Sequence, residues 1–97
     1  MSKPLTIVAR IKAKSGKENA LAAQLTPLVA PTLKEVGCLQ YDMLRDLEDP
    51  GNFVFFENWE TKELWLDHME TPHLKAFKAV ADDLVEIFEI FEMEKEG

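Results

Sequence analysis

The chain of 97 residues has little cysteine, little basic charge and no long apolar run, and each shortage excludes a class of protein. Cys38 is the only cysteine, so no disulfide can form within the chain and we expect a reducing, cytoplasmic location. Eleven basic against eighteen acidic residues give a net charge of -7, which argues against nucleic-acid binding because a phosphate backbone needs a basic patch. No uninterrupted apolar segment has the length of a signal peptide or a membrane span, so we expect no membrane partner.

The remaining composition indicates a small globular protein, with 46% hydrophobic residues. We expect a single domain over residues 1–97. A chain of this length buries only roughly 60–65% of the surface that its unfolded form exposes. Association with a second copy of the chain would bury more of this surface.

The spacing of apolar residues predicts the element order βαββαβ. Period-two alternation and β-forming residues indicate four strands, at Leu5–Ala13, Cys38–Leu47, Phe53–Glu60 and Val85–Met93. Helical spacing begins at Lys17 and ends before Gly37, a left-handed cap, with a kink or break expected at Pro27 and Pro31.

Two further helical segments are predicted between the third and fourth strands. Thr61 can cap a short helix that stops near Glu70. Thr71 can cap a second, with Pro72 at its first position, which runs to about Asp83.

This order is that of the ferredoxin-like α+β fold, a four-stranded antiparallel sheet with helices on one face. Strands three and four carry apolar residues on both faces, so the helix-free face also needs a cover. We expect Val54, Phe56, Phe88 and Ile90 on that face, and a second copy packed against it as a homodimer.

With the elements placed, the chain resembles the antibiotic biosynthesis monooxygenase family over roughly Leu5 to Phe91, most closely its small quinol-monooxygenase-like members. The residues that carry the resemblance are Ala9, Lys14, Gly16-Lys17, Val29-Ala30-Pro31-Thr32, Glu35, Gly37-Cys38, Tyr41, Asp49-Pro50, Phe53, Glu57, Trp59, His68, Thr71-Pro72-His73 and Phe77. The resemblance implies a dimeric α+β barrel with a pocket between sheet and helices. It also implies oxygenation of a small quinol or phenolic aromatic without metal or flavin.

Two residues are the candidates for catalysis. His68 can serve as a base because imidazole titrates near neutral pH; the alternative is a core histidine satisfied by Glu57 or by backbone. Trp59 shares strand parity with Phe55 and Glu57, which predicts an indole on the pocket wall, and simple core packing is the alternative.

Five further residues are predicted to contact the aromatic ligand: Tyr41, Phe55, Glu57, His73 and Phe77. For Glu57 itself the sequence favours a structural carboxylate that ties its strand to a helix, or to Arg10 or Arg45, over a catalytic one. His73 lies on the apolar stripe of its helix and either closes the pocket mouth or packs.

The same residues do not predict a metal site. His68 and His73 are five positions apart with a helix break between them, unlike the i, i+4 pair that places two imidazoles on one helix face. Haem-degrading relatives carry an asparagine on the first strand, which Leu5–Ala13 lacks.

The remaining alternatives are a noncatalytic binding protein of the same fold and an isomerase of a small phosphorylated metabolite.

Overall fold

The computed structural model describes residues 3–97, and the predicted element order is confirmed. The strands are β1 (Leu5–Ala13), β2 (Cys38–Arg45), β3 (Asn52–Trp59) and β4 (Val85–Met93), and the helices are α1 (Glu18–Leu25), α2 (Val29–Leu33), α3 (Lys62–Met69) and α4 (Pro72–Leu84). The strands form one antiparallel sheet in the order β2-β3-β1-β4, which is the ferredoxin-like arrangement. Among the described residues, no helix is both long and apolar enough to span a bilayer.

The predicted break in the first helical region lies at its prolines. Helix α1 ends at Leu25, a 3₁₀ turn covers Thr26–Leu28, and α2 follows. Pro27 lies in the 3₁₀ turn and Pro31 in α2, and neither has an N–H for a helical hydrogen bond. The short segments let the chain bend around the sheet, with Leu21, Leu25 and Leu28 all buried.

Strand β2 ends two residues earlier than predicted because the following loop makes its own hydrogen bonds. The Asp46 side chain accepts from the Glu48 amide at 2.9 Å, and the Asp49 side chain accepts from the Gly51 amide at 3.0 Å. Such local side-chain bonds compete with a strand ladder. The hairpin between β2 and β3 therefore closes at Asp46, whose amide donates to the Asn52 carbonyl at 2.9 Å.

Pairing of β1 with β3 fixes which side chains face the helices. Ile7 lies opposite Glu57, and Ala9 opposite Phe55, and all four are buried. On β2, Tyr41 lies opposite Glu57 and joins the same face. The sheet thus presents a glutamate and a tyrosine side by side beneath the helices.

The prediction of which β4 side chains lie on the helix-free face is wrong. Phe88 pairs with Ile11 and Ile90 with Ala9, so both lie on the helix-covered face. Phe91 pairs with Val8 and lies with Phe56 on the other face. Alternation within β4 leaves its two faces equivalent by sequence, and only the register against β1, irregular at Lys12 and Ala13, decides between them.

Gly37 shapes the connection from α2 to β2. Its φ is +86°, a left-handed conformation that favours glycine, and its carbonyl accepts from the Glu60 amide at 2.9 Å. A Cβ at this position would overlap the Leu64 side chain of α3. The glycine therefore lets α3 pack closely against the segment that carries Glu35.

Replacing Gly37 by alanine should destabilise the fold through both the backbone and the overlap with Leu64. Gly16 is the matched control, because its φ is +83° but a Cβ there would meet open space. We expect Gly16→Ala to cost roughly 1–2 kcal/mol, the backbone term alone. Gly37→Ala should cost roughly 1–3 kcal/mol more, the usual scale of overpacking. Equal free energies of unfolding for the two variants in urea titrations would show that the contact with Leu64 is unimportant.

Candidate active site

One carboxylate connects the two histidines of the chain. Glu35, in the connection between α2 and β2, places Oε2 2.8 Å from Nδ1 of His68 and 2.7 Å from Nε2 of His73. The His68 side chain is 2% exposed, Glu35 15% and His73 21%. The connection between α2 and β2 therefore meets the junction of α3 and α4, 33 and 38 residues further along the chain, at one oxygen atom.

The break between α3 and α4 is what brings the imidazoles together. His68 lies in the last turn of α3 and His73 in the first turn of α4. Between them, Thr71 donates its hydroxyl to the His68 carbonyl at 2.8 Å, and the same oxygen lies 3.2 Å from Nε2 of His73. On a continuous helix, two histidines five residues apart do not share one face. Across this junction the same spacing brings them to one carboxylate oxygen.

The contacts with Glu35 define the tautomer of His68. A carboxylate has only acceptor oxygens, so Nδ1 of His68 carries the proton that it shares with Glu35. This leaves Nε2 with a lone pair, and no side-chain hydrogen bond from the described residues reaches it. His68 is thus arranged to accept a proton at Nε2.

Aromatic neighbours hold the His68 ring. The Trp59 ring lies 4.7 Å from it and tilted by 37°, and Tyr41 approaches edge-on at 5.5 Å. Burial lowers the pKa of His68, and Glu35 acts in the opposite direction through its hydrogen bond and charge. The imidazole is therefore neutral at neutral pH, as a base must be.

A small cavity of about 30 Å³ lies between the helix-facing side of the sheet and helices α3 and α4. Its wall includes five of the predicted site residues, His68, Tyr41, Phe55, Glu57 and Phe77. Four of the lining residues bring a side-chain nitrogen or oxygen atom to the wall. They are His68, Tyr41, Glu57 and, through its indole N–H, Trp65. Nine side chains without a predicted site role complete the wall: Ile7, Ala9, Ile11, Leu28, Trp65, Met69, Leu74, Phe88 and Ile90.

Two predicted site residues lie outside this wall. Trp59 is fully buried behind His68, and its Nε1 donates to Oε1 of Glu57 at 2.9 Å. Its N–H is satisfied within its own strand, so the indole supports the site rather than lining it. His73 lies on the far side of Glu35, and Trp65 of α3 supplies the wall tryptophan instead. Helical spacing places Trp65 on α3 but does not determine which face of that helix lies against the sheet.

Glu57 is a buried carboxylate that forms no salt bridge with a cationic side chain of residues 3–97. The predicted pairing with Arg10 or Arg45 is wrong, because Arg10 binds Asn52 and Glu89 on the other face and Arg45 binds Asn19 and the Pro50 carbonyl. Burial raises the pKa of Glu57 to about 7, with a smaller contribution from Glu35 and an opposing one from the Trp59 N–H.

Tyr41 is the second hydroxyl-bearing group at the cavity and is 4% exposed. Burial and the neighbouring Glu57 raise the pKa of its phenol, so it remains protonated at all physiological pH values. The cavity therefore combines the lone pair of His68 with a phenol that can donate a hydrogen bond.

An outer cleft of about 380 Å³ adjoins the cavity. The two share Met69, Leu74, Phe77 and Phe88, which form the partition between them. Phe88 is 47% exposed, so one side of this partition is in contact with solvent. These four side chains therefore separate the cavity from the outer cleft.

Comparison with known proteins identifies the family. Residues 4–80 match the antibiotic biosynthesis monooxygenase family, and the chain belongs to it. A Synechocystis protein, sll1783, is 28% identical over 82 residues, which is 84% of this chain and 56% of that protein. The Escherichia coli protein YgiN, named a "probable quinol monooxygenase", is 32% identical over 94 residues, covering 86% of this chain and 90% of YgiN.

A solved structure shares the whole fold. The crystal structure of PA3566 from Pseudomonas aeruginosa has a TM-score of 0.96 and 35% sequence identity, and the match covers 100% of this chain and 98% of that one.

The raised pKa of Glu57 predicts a measurable cost in stability at high pH. Between the ordinary pKa of 4.5 and about 7, the folded chain binds more protons at Glu57 than the unfolded chain, so this residue lowers the free energy of unfolding as pH rises. Glu57→Gln keeps an acceptor for the Trp59 N–H but cannot ionise. The melting temperature of the variant minus that of the wild type should therefore increase as the pH rises from about 5 to about 8.

Each 1 kcal/mol corresponds to roughly 4–8 °C for a domain of this size, so the gain should be resolved by circular dichroism melts. Glu63→Gln, which removes an exposed acid of α3, is the control and should follow the wild type at every pH. A constant difference between Glu57→Gln and the wild type across this range would contradict the burial argument.

Proposed function

We propose that the chain is a monooxygenase that oxidises a small quinol or phenolic aromatic without a metal or organic cofactor. Family membership and the name of YgiN support the reaction class. The observation that carries the proposal is the His68 imidazole at an apolar cavity, with Nδ1 hydrogen-bonded to Glu35 and Nε2 left for a ligand.

Such a reaction needs a substrate that supplies its own electrons. A quinol that reacts with O₂ gives a hydroxylated quinone and one water molecule, so one oxygen atom enters the ring and no further reductant is consumed. The electron-rich form of the quinol is its anion. Nε2 of His68 is the proposed acceptor of the hydroxyl proton, and Glu35 stabilises the resulting imidazolium.

The other polar groups at the cavity are suited to donating hydrogen bonds. Tyr41 is held as a neutral phenol, and Glu57 is substantially protonated near neutral pH. Both can donate a hydrogen bond to an oxygen on which negative charge develops. The apolar wall excludes water, which strengthens these interactions and limits side reactions of reduced oxygen species.

The size of the cavity places a requirement on binding. About 30 Å³ holds roughly one water molecule, not an aromatic ring. We propose that the ring enters from the outer cleft by displacing Met69 and Phe88, the flexible and the half-exposed members of the partition. The same apolar lining disfavours the phosphorylated-metabolite isomerase, because it contains no lysine or arginine.

His68→Gln tests the base directly, since glutamine retains a polar side chain but cannot accept the proton. Oxygen uptake with a small quinol should fall by about 10²-fold or more, the usual scale of general-base catalysis. Lys75→Ala, which removes an exposed amine of α4, is the control and should keep wild-type uptake.

Oxygen uptake must be measured above the spontaneous oxidation of the quinol, in buffer alone at the same pH. If the wild type binds a quinol but consumes no oxygen above that rate, the noncatalytic binding protein becomes the better account. If His68→Gln retains full uptake, His68 is not the base.

We propose further that two copies pack through the helix-free face of the sheet. Its apolar residues are Val8, Leu44, Val54, Phe56, Ile87, Phe91 and Met93, drawn from all four strands. Phe91 is 44% and Met93 47% exposed in the single chain. An apolar face of this extent is uncommon on a soluble monomer, and a second sheet of the same shape covers it symmetrically.

Phe56→Glu should dissociate this dimer, because it would bury a charge at the centre of the face. The wild type should sediment as a dimer at micromolar concentration and the variant as a monomer. Leu66→Glu is the matched control, with a 48% exposed leucine on α3, and should remain dimeric. A wild type that sediments as a monomer, or a dimeric Phe56→Glu, would place the interface elsewhere or exclude it.

A further inference from the structure

The cluster of Glu35, His68 and His73 has the composition of a transition-metal site. Its three potential ligand atoms lie within 4.8 Å of one another. Two imidazoles and one carboxylate are a common ligand set for Zn²⁺ and Fe²⁺. We propose that the cluster binds a divalent ion of this group, with Zn²⁺ as the representative, and that the ion competes with the hydrogen bonds that orient His68.

The distances fit this role. Ligands about 2.1 Å from one ion and separated by octahedral or tetrahedral angles are about 3.0–3.4 Å from each other. The Glu35 oxygen is 2.8 Å and 2.7 Å from the two nitrogens, slightly below this range, and the two nitrogens lie within 4.8 Å of each other, so an ion would draw the two imidazoles closer together. His73 and Glu35 are partly exposed, which gives the ion a path from solvent and leaves coordination positions for water.

The position of the ion relative to the cavity excludes a direct part in oxygen chemistry. His68 lines the cavity, but neither Glu35 nor His73 does. An ion on Nδ1 would lie on the side of the imidazole toward those two residues, separated from the cavity by the ring. A substrate held in the cavity could not reach it.

The expected consequence is inhibition, and this part rests on the proposed function. A neutral imidazole that gives the lone pair of Nδ1 to a metal carries its proton on Nε2. Nε2 then presents an N–H donor to the cavity in place of an acceptor. No proton is released, because the proton moves from one ring nitrogen to the other through solvent. The bound ion thereby removes the base.

Metal binding is measured without reference to turnover. The apo protein, treated with a chelator and then freed of it, is titrated with Co²⁺ alone for visible absorption bands and with Zn²⁺ alone by calorimetry. We expect one ion per chain. His73→Gln and Glu35→Gln should each weaken binding by at least 10- to 100-fold, which is the loss typical of an outer-shell partner and a lower bound for a ligand.

Glu63→Gln is the control and should bind as the wild type does. His73→Gln is the more informative variant, because His73 is partly exposed and its replacement preserves the contact between Glu35 and His68. Unchanged affinity in a folded His73→Gln, or no binding by the wild type at micromolar Zn²⁺, would overturn the site.

The inhibitory consequence has its own readout. Stoichiometric Zn²⁺ should suppress quinol-dependent oxygen uptake by about 10-fold or more, and a chelator should restore it. Full uptake with the ion bound would overturn the proposed change of tautomer while leaving the metal site intact. A protein that binds Zn²⁺ but shows no uptake under any condition contradicts the proposed function and the inhibitory consequence, and leaves the site supported.

Discussion

The hydrogen bonds from two imidazoles to one oxygen of Glu35 are the interaction on which the site depends. They join the connection after α2 to the end of α3 and the start of α4, and they set which nitrogen of His68 is available to a ligand. A carboxylate as little exposed as that of Glu35 is costly unless it is hydrogen-bonded. The same contacts that satisfy Glu35 therefore orient the candidate base, so the stability of this region and its chemistry share one arrangement.

Around that interaction, the cavity separates proton acceptance from hydrogen-bond donation. His68 is kept neutral by burial, whereas burial of Glu57 raises its pKa to about 7 and favours the protonated acid. Two titratable groups whose surroundings push their pKa values in opposite directions are the usual basis of acid and base roles. Trp59 supports both groups, since its ring packs on His68 and its N–H donates to Glu57.

Alternation and helix signals in the sequence were sufficient for the order of the elements and for the helix-facing positions of β1 and β3. They could not fix β4, whose two faces are equally apolar, so Phe88 and Ile90 were placed on the wrong face. The predicted site residues Tyr41, Phe55, Glu57, His68 and Phe77 line the cavity, whereas Trp59 and His73 lie outside its wall. Glu35 had no assigned role because it lies between elements, outside any periodic pattern, and its partners are 33 and 38 residues away. Only the packing of α3 and α4 reveals that contact.

The proposed chemistry requires His68 to be a neutral imidazole with its proton on Nδ1 and a free lone pair on Nε2. Nitrogen-15 chemical shifts and the two- and three-bond couplings of the His68 ring, measured by NMR on metal-free protein, report this state directly. We expect a protonated Nδ1, an unprotonated Nε2 and a ring that remains neutral below its ordinary pKa of 6.5. A proton on Nε2 at neutral pH, or a ring that titrates at or above 6.5, would contradict it.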